Sequence, residues 1–304
     1  MIIIKSQNMA VKKTTKKALA EKEPVIEQTP EKEIQELKDE NLKLVEELKV
    51  VGEFLDEYKA MLNEVEQPLL VIIPYRKSEA QGNELKLAIK GWKKHFKEDF
   101  QIVVVGDHEK YLPEDVIHVP HECVIDNPPL DIVSKLREIM LRFPCVDSVI
   151  LTNDDIYPVN DFSLTEVQLL RVDGLLTDKK NTGRLYSENR ERTVNLLKNE
   201  GKSLYDYGTH TPVFLETEKL LALFEKYNMD TEAYLITSLY FNTYFPGRIP
   251  LVHHLEHDNF KVGVCRPDAN LQRLKELIPR KIWVYNSVAG WSPELKEIIE
   301  SLLG

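Results

Sequence analysis

The chain has 304 residues, 42% of them hydrophobic, and its 50 acidic side chains outnumber 40 basic ones, for a formal charge of −10. That length buries a sizeable core. The acidity excludes general nucleic-acid binding, which rests on clustered Lys and Arg facing phosphates. Cys123, Cys145 and Cys265 fall in no pairing or zinc-ligand spacing, as expected of thiols in a reducing compartment. No apolar run approaches the roughly 20 residues that span a bilayer, so a cytoplasmic location is expected.

Residues 1–30 are rich in Lys, Glu and Thr and poor in large apolar residues, so a disordered tail is expected. From 31 to 66, Ile34, Leu37, Asn41, Leu44, Leu48, Val51, Leu55, Tyr58, Leu62 and Val65 keep alternating spacings of three and four. This is a heptad seam, with Ile34, Asn41, Leu48, Leu55 and Leu62 at a, and a single Asn at a is a device that fixes register. The reading is a coiled-coil stem that makes a homo-oligomer. The alternative is one amphipathic helix packed on its own domain. Pro68 ends the segment.

A globular domain follows over 67–304, divided into halves at 162. Leu69-Leu-Val-Ile-Ile73 and Gln101-Ile-Val-Val-Val105 are continuous apolar runs, as expected of strands buried on both faces. Between them Leu85, Ile89, Trp92 and Phe96 line one face of a helix that Asn83 would cap. A shorter strand is predicted at 116–119, a helix through Ile132, Leu136, Ile139 and Phe143 after Pro128-Pro129, and a fourth strand at 149–151. The alternation predicts an α/β fold, a doubly wound and mostly parallel sheet.

Ligands of such sheets bind beyond the carboxyl ends of the strands. There the fourth strand meets Asn153-Asp154-Asp155, two adjacent carboxylates of the hard-oxygen kind that hold Mg²⁺ or Mn²⁺. The same tripeptide is also a ready turn. Its company favours the site. Pro74-Tyr75-Arg76 after the first strand, Gly106-Asp107 after the second and Asn153-Asp154-Asp155 after the fourth together resemble the nucleotide-sugar half of glycosyltransferases with the A-type fold. The resemblance covers about 69–162. It implies that Arg76 lies against the nucleotide, that Asp107 contacts base or ribose, and that Asp154 and Asp155 hold ribose and the metal on the diphosphate. The sequence departs from the family's D-x-D pattern in having Asn153 first, which leaves Asp155 as the direct metal ligand. Asn83-Glu-Leu-Lys-Leu-Ala-Ile89 and Tyr207-Gly-Thr-His-Thr-Pro212 also look like segments of stealth-type sugar-phosphate transferases, for which the transferred group is a sugar phosphate.

A nucleoside diphosphate leaves readily only when its charge is neutralised, and Lys135, Arg137, Arg248 and Arg266 are candidate cations. In the second half, Tyr205-Asp-Tyr207 and His210 suit stacking on a sugar and bonding its hydroxyls, and His210 reads either as a base or orienter of the acceptor or as a structural His. Asp230 and Glu232 precede an apolar helix predicted at Ala233–Phe245. Both read as dipole-favoured acids or as the carboxylate that deprotonates an acceptor hydroxyl. His253 and His257 would share a face if helical. The resemblance makes His257 a late metal ligand. Trp283-Val-Tyr and the helix capped by Ser292-Pro293 read as packing. The expected activity is metal-assisted transfer from a nucleotide-sugar donor to a hydroxyl acceptor such as a glycan, with Mn²⁺ or Mg²⁺. The rivals are sugar-phosphate transfer and a non-catalytic coiled-coil scaffold.

Overall fold

The computed structural model describes residues 30–63, 68–122, 125–179, 183–252, 259–262 and 270–304. The sequence readings of residues 1–29, Cys123, His253, His257, Cys265 and Arg266 lie outside them. By their internal contacts the residues form two units, 1–58 and 59–304.

The described part of the heptad segment, residues 31–63, lies in one long helix, α1 (Pro30–Asn63), most of which belongs to the first unit; Val65 lies outside the described residues. Ile34, Leu37, Leu44, Leu48 and Val51 of the seam are exposed on it. An exposed apolar seam of coiled-coil period is what a second helix covers. In light scattering the wild type should therefore run as an oligomer and a full-length chain carrying Leu44→Asp and Leu48→Asp as a monomer; equal masses would remove the stem's role.

The second unit is the α/β domain. In chain order it comprises β1 (Leu69–Tyr75), α2 (Glu84–His95), β2 (Phe100–Gly106), β3 (Ile117–Pro120), α3 (Pro128–Arg142), β4 (Ser148–Leu151), β5 (Ile156–Pro158), α4 (Leu164–Gln168) and β6 (Arg171–Val172). It continues through α5 (Arg184–Asn199), β7 (Val213–Glu216), α6 (Thr217–Lys226), α7 (Ile236–Tyr244), β8 (Leu251–Val252), β9 (Asn259–Val262), α8 (Leu271–Leu277), β10 (Trp283–Asn286) and α9 (Pro293–Leu303). The main sheet has the order β3-β2-β1-β4-β7. Its first four strands run parallel, and β7 pairs antiparallel to β4. The expected mostly parallel α/β sheet is thus present.

The continuous apolar runs have the physical cause expected of them. In β1, Leu70 and Ile72 face a core shared with α3, α5, α6 and α7, while Val71 and Ile73 face a second core closed by Leu85, Ile89, Trp92 and Phe96. Each strand residue is therefore buried whichever way it points. α2 carries a second apolar face that the sequence reading lacked, because Leu87 and Ala88 join α9 and β10 in a third core. That core lies on a smaller sheet, β5-β10-β9. Asn83 does sit at the start of α2, without a side-chain capping bond. Ser292 caps α9 as expected, accepting the Leu295 N–H at 3.1 Å. The helix predicted at Ala233–Phe245 is shorter, beginning only at Ile236, so Asp230 and Glu232 lie in the turn before it. Among the described residues no helix is long and apolar enough to cross a membrane.

Candidate active site

Strand order reverses between β1 and β4: the chain steps outward through β2 and β3 on one side of β1, then returns to its other side. Such a switch point opens a crevice beyond the strand ends. A cleft of about 540 Å³ stands there, lined among others by Pro74 and Arg76 after β1 and by Asn153, Asp154 and Asp155 after β4. Two segments separated by more than seventy residues meet because β1 and β4 are hydrogen-bonded neighbours.

The loop after β1 is held firmly. Asp107, at the end of β2, accepts the Lys77 N–H at 2.8 Å and so caps this loop. It is not among the residues that line the cleft, and the bond it makes shapes the loop. Arg76 does line the cleft. Its guanidinium donates to Asp126 Oδ1 at 3.0 Å and to the Ile125 carbonyl at 3.4 Å, tying the loop to the segment that leads into α3. Lys135, expected to be a diphosphate cation, lines the floor with only 1% of its surface exposed. Its ammonium donates to Asp131 Oδ2 at 2.8 Å and to the Tyr75 carbonyl at 3.1 Å. Asp131 already meets its charge, and its work is to hold the end of β1 against α3.

Carboxyls dominate this cleft. Among the described residues, Glu79, Glu84, Asp126, Asp131, Asp154 and Asp155 line it against Arg76 and Lys135. Glu84 is 3% exposed at the start of α2. It accepts the Gln81 N–H at 2.5 Å and an Asn286 Nδ2–H at 2.7 Å, and Tyr157 in turn donates to Asn286 Oδ1 at 2.6 Å. Burial raises the Glu84 carboxyl above its ordinary value, against those two bonds. Burial also pushes Asp154 up to about 7, with repulsion from Asp155 and Glu84 adding to it. Asp155 rises to about 6 through burial and then through Glu84. Moreover, Asp155 Oδ1 is sealed from water and finds no hydrogen-bond partner among the described residues. An orphaned carboxylate oxygen costs about 1–3 kcal/mol or more, so a buried one at a strand end calls for an explanation that a plain turn does not supply.

A second cleft of about 340 Å³ adjoins the first, sharing Pro128, Pro129, Ile132, Asn153, Tyr186 and Leu235 with it. His210 and Tyr207 line it, as does Asp206, from the cluster singled out in the sequence. His210 has a left-handed backbone, φ 50°. Its ring stacks flat on Tyr285, with centroids 4.6 Å apart and planes 8° apart. Asp206 is 2% exposed and already engaged, by the Gly208 N–H at 2.9 Å and by Lys179 at 3.3 Å.

Of the three residues expected to do acid–base work, only His210 lines a cleft. Asp230 lies outside both, in a bidentate pair with Arg137 at 2.6 and 2.7 Å. Glu232 is likewise outside, 3.1 Å from Arg192. Among the described residues no three His, Cys, Asp or Glu side chains form a group that would hold a metal by themselves. Glu84, Asn286 and Asn189 also line the first cleft and were not among the sequence candidates. A lone Glu in a first helical turn gives the same signal as a dipole-favoured acid, and nothing local ties Asn286 to α2.

No protein-family model matches the chain, and no curated protein matches it. Among solved structures, it is similar to the crystal structure of a glycosyltransferase involved in the glycosylation of the major capsid of PBCV-1, at 12% identity and a TM-score of 0.38, over 77% of this chain and 99% of that one. Similarity at that level carries no functional argument, which rests on the residues themselves.

Proposed function

We propose that this chain is a glycosyltransferase, with a nucleotide-sugar donor in the β1–β4 cleft and a hydroxyl acceptor in the adjoining one. The observation that carries this reading is the pair Asp154 and Asp155, with an orphaned oxygen on Asp155, at the switch point of a mostly parallel sheet. A cleft so rich in carboxyls repels a bare diphosphate. It suits a divalent cation that arrives with one, because Mg²⁺ and Mn²⁺ sites often take one or two protein carboxylates and fill the remainder with substrate phosphates and water. Asp154 and Asp155 would hold that ion. When bound, it neutralises the charge growing on the leaving diphosphate.

The chain's own groups do the rest. Arg76 binds the donor's phosphates or ribose, and Glu84 with Asn286 fixes the wall opposite. The shared lining of the two clefts sets the sugar carbon beside the acceptor. His210, its ring plane fixed by Tyr285, accepts the acceptor's hydroxyl proton. The bond from the anomeric carbon to the diphosphate breaks as the bond to the acceptor oxygen forms.

Calorimetry with nucleoside diphosphates and nucleotide sugars, with and without Mn²⁺, tests the donor site. Binding that needs Mn²⁺ supports the reading, whereas no binding of any nucleotide sinks it. Product analysis tests the chemistry: a released nucleoside diphosphate marks sugar transfer, and a released monophosphate marks transfer of a sugar phosphate. Arg76→Ala removes a charged donor worth about 1.5–3 kcal/mol and should weaken nucleotide binding about tenfold or more. Asp107→Ala, acting only through the loop it caps, should weaken it less. Unchanged affinity in Arg76→Ala would misplace the pocket.

A further inference from the structure

The second cleft differs in chemistry from the first. Its walls include Ile132, Leu151, Ile156, Val213, Leu235 and Ile236, branched aliphatic side chains that present no hydrogen-bonding groups. Most of its buried polar groups are spoken for within the protein. Besides Asp206, Ser238 Oγ takes the Tyr207 N–H at 3.0 Å, and the Thr211 hydroxyl pairs with that of Thr209 at 2.9 Å. Thr152 is different. It is 2% exposed and lines the cleft, and its Oγ1 finds no partner among the described residues. Thr152 is also the residue immediately before Asn153-Asp154-Asp155, so a group bonded to its hydroxyl stands beside the donor site.

A bare sugar is a poor complement to such walls. Hydroxyls set against those six side chains would lose water and gain no partner, a cost of about 1–3 kcal/mol for each one left unpaired; partners come only from the polar lining, such as Asn153, Tyr186, His210 and Thr237. An apolar ring gains roughly 25 cal/mol for each Å² it buries there. The volume of about 340 Å³ lies at the small end of ligand clefts, about 300–1,000 Å³, and so accommodates a ring-sized group rather than a long acyl chain. In the free chain the Thr152 hydroxyl is buried, and a hydroxyl on Cβ changes its direction by rotation about χ1 between staggered positions. A turn about χ1 that brings the Thr152 hydroxyl to the cleft surface gains a partner only if the ligand provides one.

Resting on the transferase reading, we infer that the acceptor carries a compact apolar group next to its reacting hydroxyl, with the apolar group on the Ile132–Val213–Ile236 walls and the hydroxyl held by Thr152. Calorimetry on the full chain with matched 4-nitrophenyl and methyl glycosides of glucose, galactose and mannose tests it. In at least one series the aryl glycoside should bind at least tenfold more tightly than its methyl counterpart. Thr152→Val, nearly isosteric, should weaken aryl-glycoside binding about tenfold, with the unliganded melting temperature held or raised because an orphaned hydroxyl is removed. Val213→Thr should narrow the aryl preference. Methyl glycosides that match the aryl ones, failure of every glycoside to bind, or a Thr152→Val protein with full aryl affinity would each overturn the inference. The transferase reading fails by a different result: aryl glycosides that bind while no nucleotide or nucleotide sugar does.

Discussion

Asp155→Asn should give a protein that is more stable than the wild type at pH 8 and yet has lost nucleotide-dependent turnover by about 100-fold or more. The two effects share one cause. In the folded chain the Asp155 carboxyl is raised to about 6 and that of Asp154 to about 7 by burial and by the neighbouring acids. In the unfolded chain both titrate near the ordinary Asp value of about 3.9. Between those values the folded protein holds more protons than the unfolded one, so unfolding becomes easier as pH rises. The stability these groups allow is complete below about pH 4 and is lost progressively up to about pH 7. Asparagine keeps the shape and cannot ionise. It should return on the order of 1–2 kcal/mol at pH 8, a rise of about 2–6 °C in melting temperature, with the gain fading towards pH 4. The same substitution removes a carboxylate proposed to hold the divalent ion, whose stabilisation of the leaving group is worth several kcal/mol. Melting curves from pH 4 to 8, with turnover measured alongside, check both. A variant that turns over normally and melts lower than the wild type would make Asn153-Asp154-Asp155 a structural turn. In the wild type, nucleotide binding with Mn²⁺ should strengthen between pH 5 and 8, because the carboxyls must lose their protons before they can hold a cation.

The first half of the domain was legible in sequence because its signals are local. A strand covered on both faces must be apolar at every position, as in β1 and β2, and a helix lying on that sheet must repeat its apolar residues every three or four, as Leu85, Ile89 and Trp92 do. The strand-end motifs then fell into place, and Arg76, Asp154 and Asp155 do line one cleft. The second half gives no such signal. The smaller sheet joins Ile156–Pro158, at the end of the first half, to Asn259–Val262 and Trp283–Asn286 of the second, strands of three or four residues assembled across more than a hundred positions. Their pairing follows from which surface they cover and not from a period. Nothing local therefore marks Asn286, although it bonds to the carboxylate of Glu84. Asp230 is ambiguous in sequence for a related reason: an acid before an apolar helix looks the same whether it meets a substrate or a cation such as Arg137, with which it pairs.

Gly106→Ala should cost about 3 kcal/mol or more, and it should damage the donor site as well as the fold. Gly106 closes β2 with φ 130°, a conformation that L side chains rarely adopt, and a Cβ there would lie 2.0 Å from the Tyr75 carbonyl oxygen. That oxygen is backbone of the neighbouring strand, which is paired in parallel with Gly106 itself, so it cannot swing aside as a side chain would. The strained backbone alone costs about 1–3 kcal/mol, and the overlap adds whatever is needed to push β1 and β2 away from each other. The Tyr75 carbonyl also accepts the buried Lys135 ammonium at 3.1 Å and the Asp107 N–H at 3.4 Å. If the strand ends separate, Lys135 loses one of its two partners, and Asp107 is drawn away from the loop that presents Arg76. The expected result is a fall in melting temperature of about 6–12 °C, together with nucleotide affinity reduced at least as far as in Arg76→Ala. Gly174→Ala is the control. Gly174 also has positive φ, but a Cβ there would meet nothing within 4 Å. That substitution should show the backbone strain with no effect on nucleotide binding. Equal losses in the two variants would mean that conformational strain alone, and not the contact with Tyr75, dictates glycine at the end of β2.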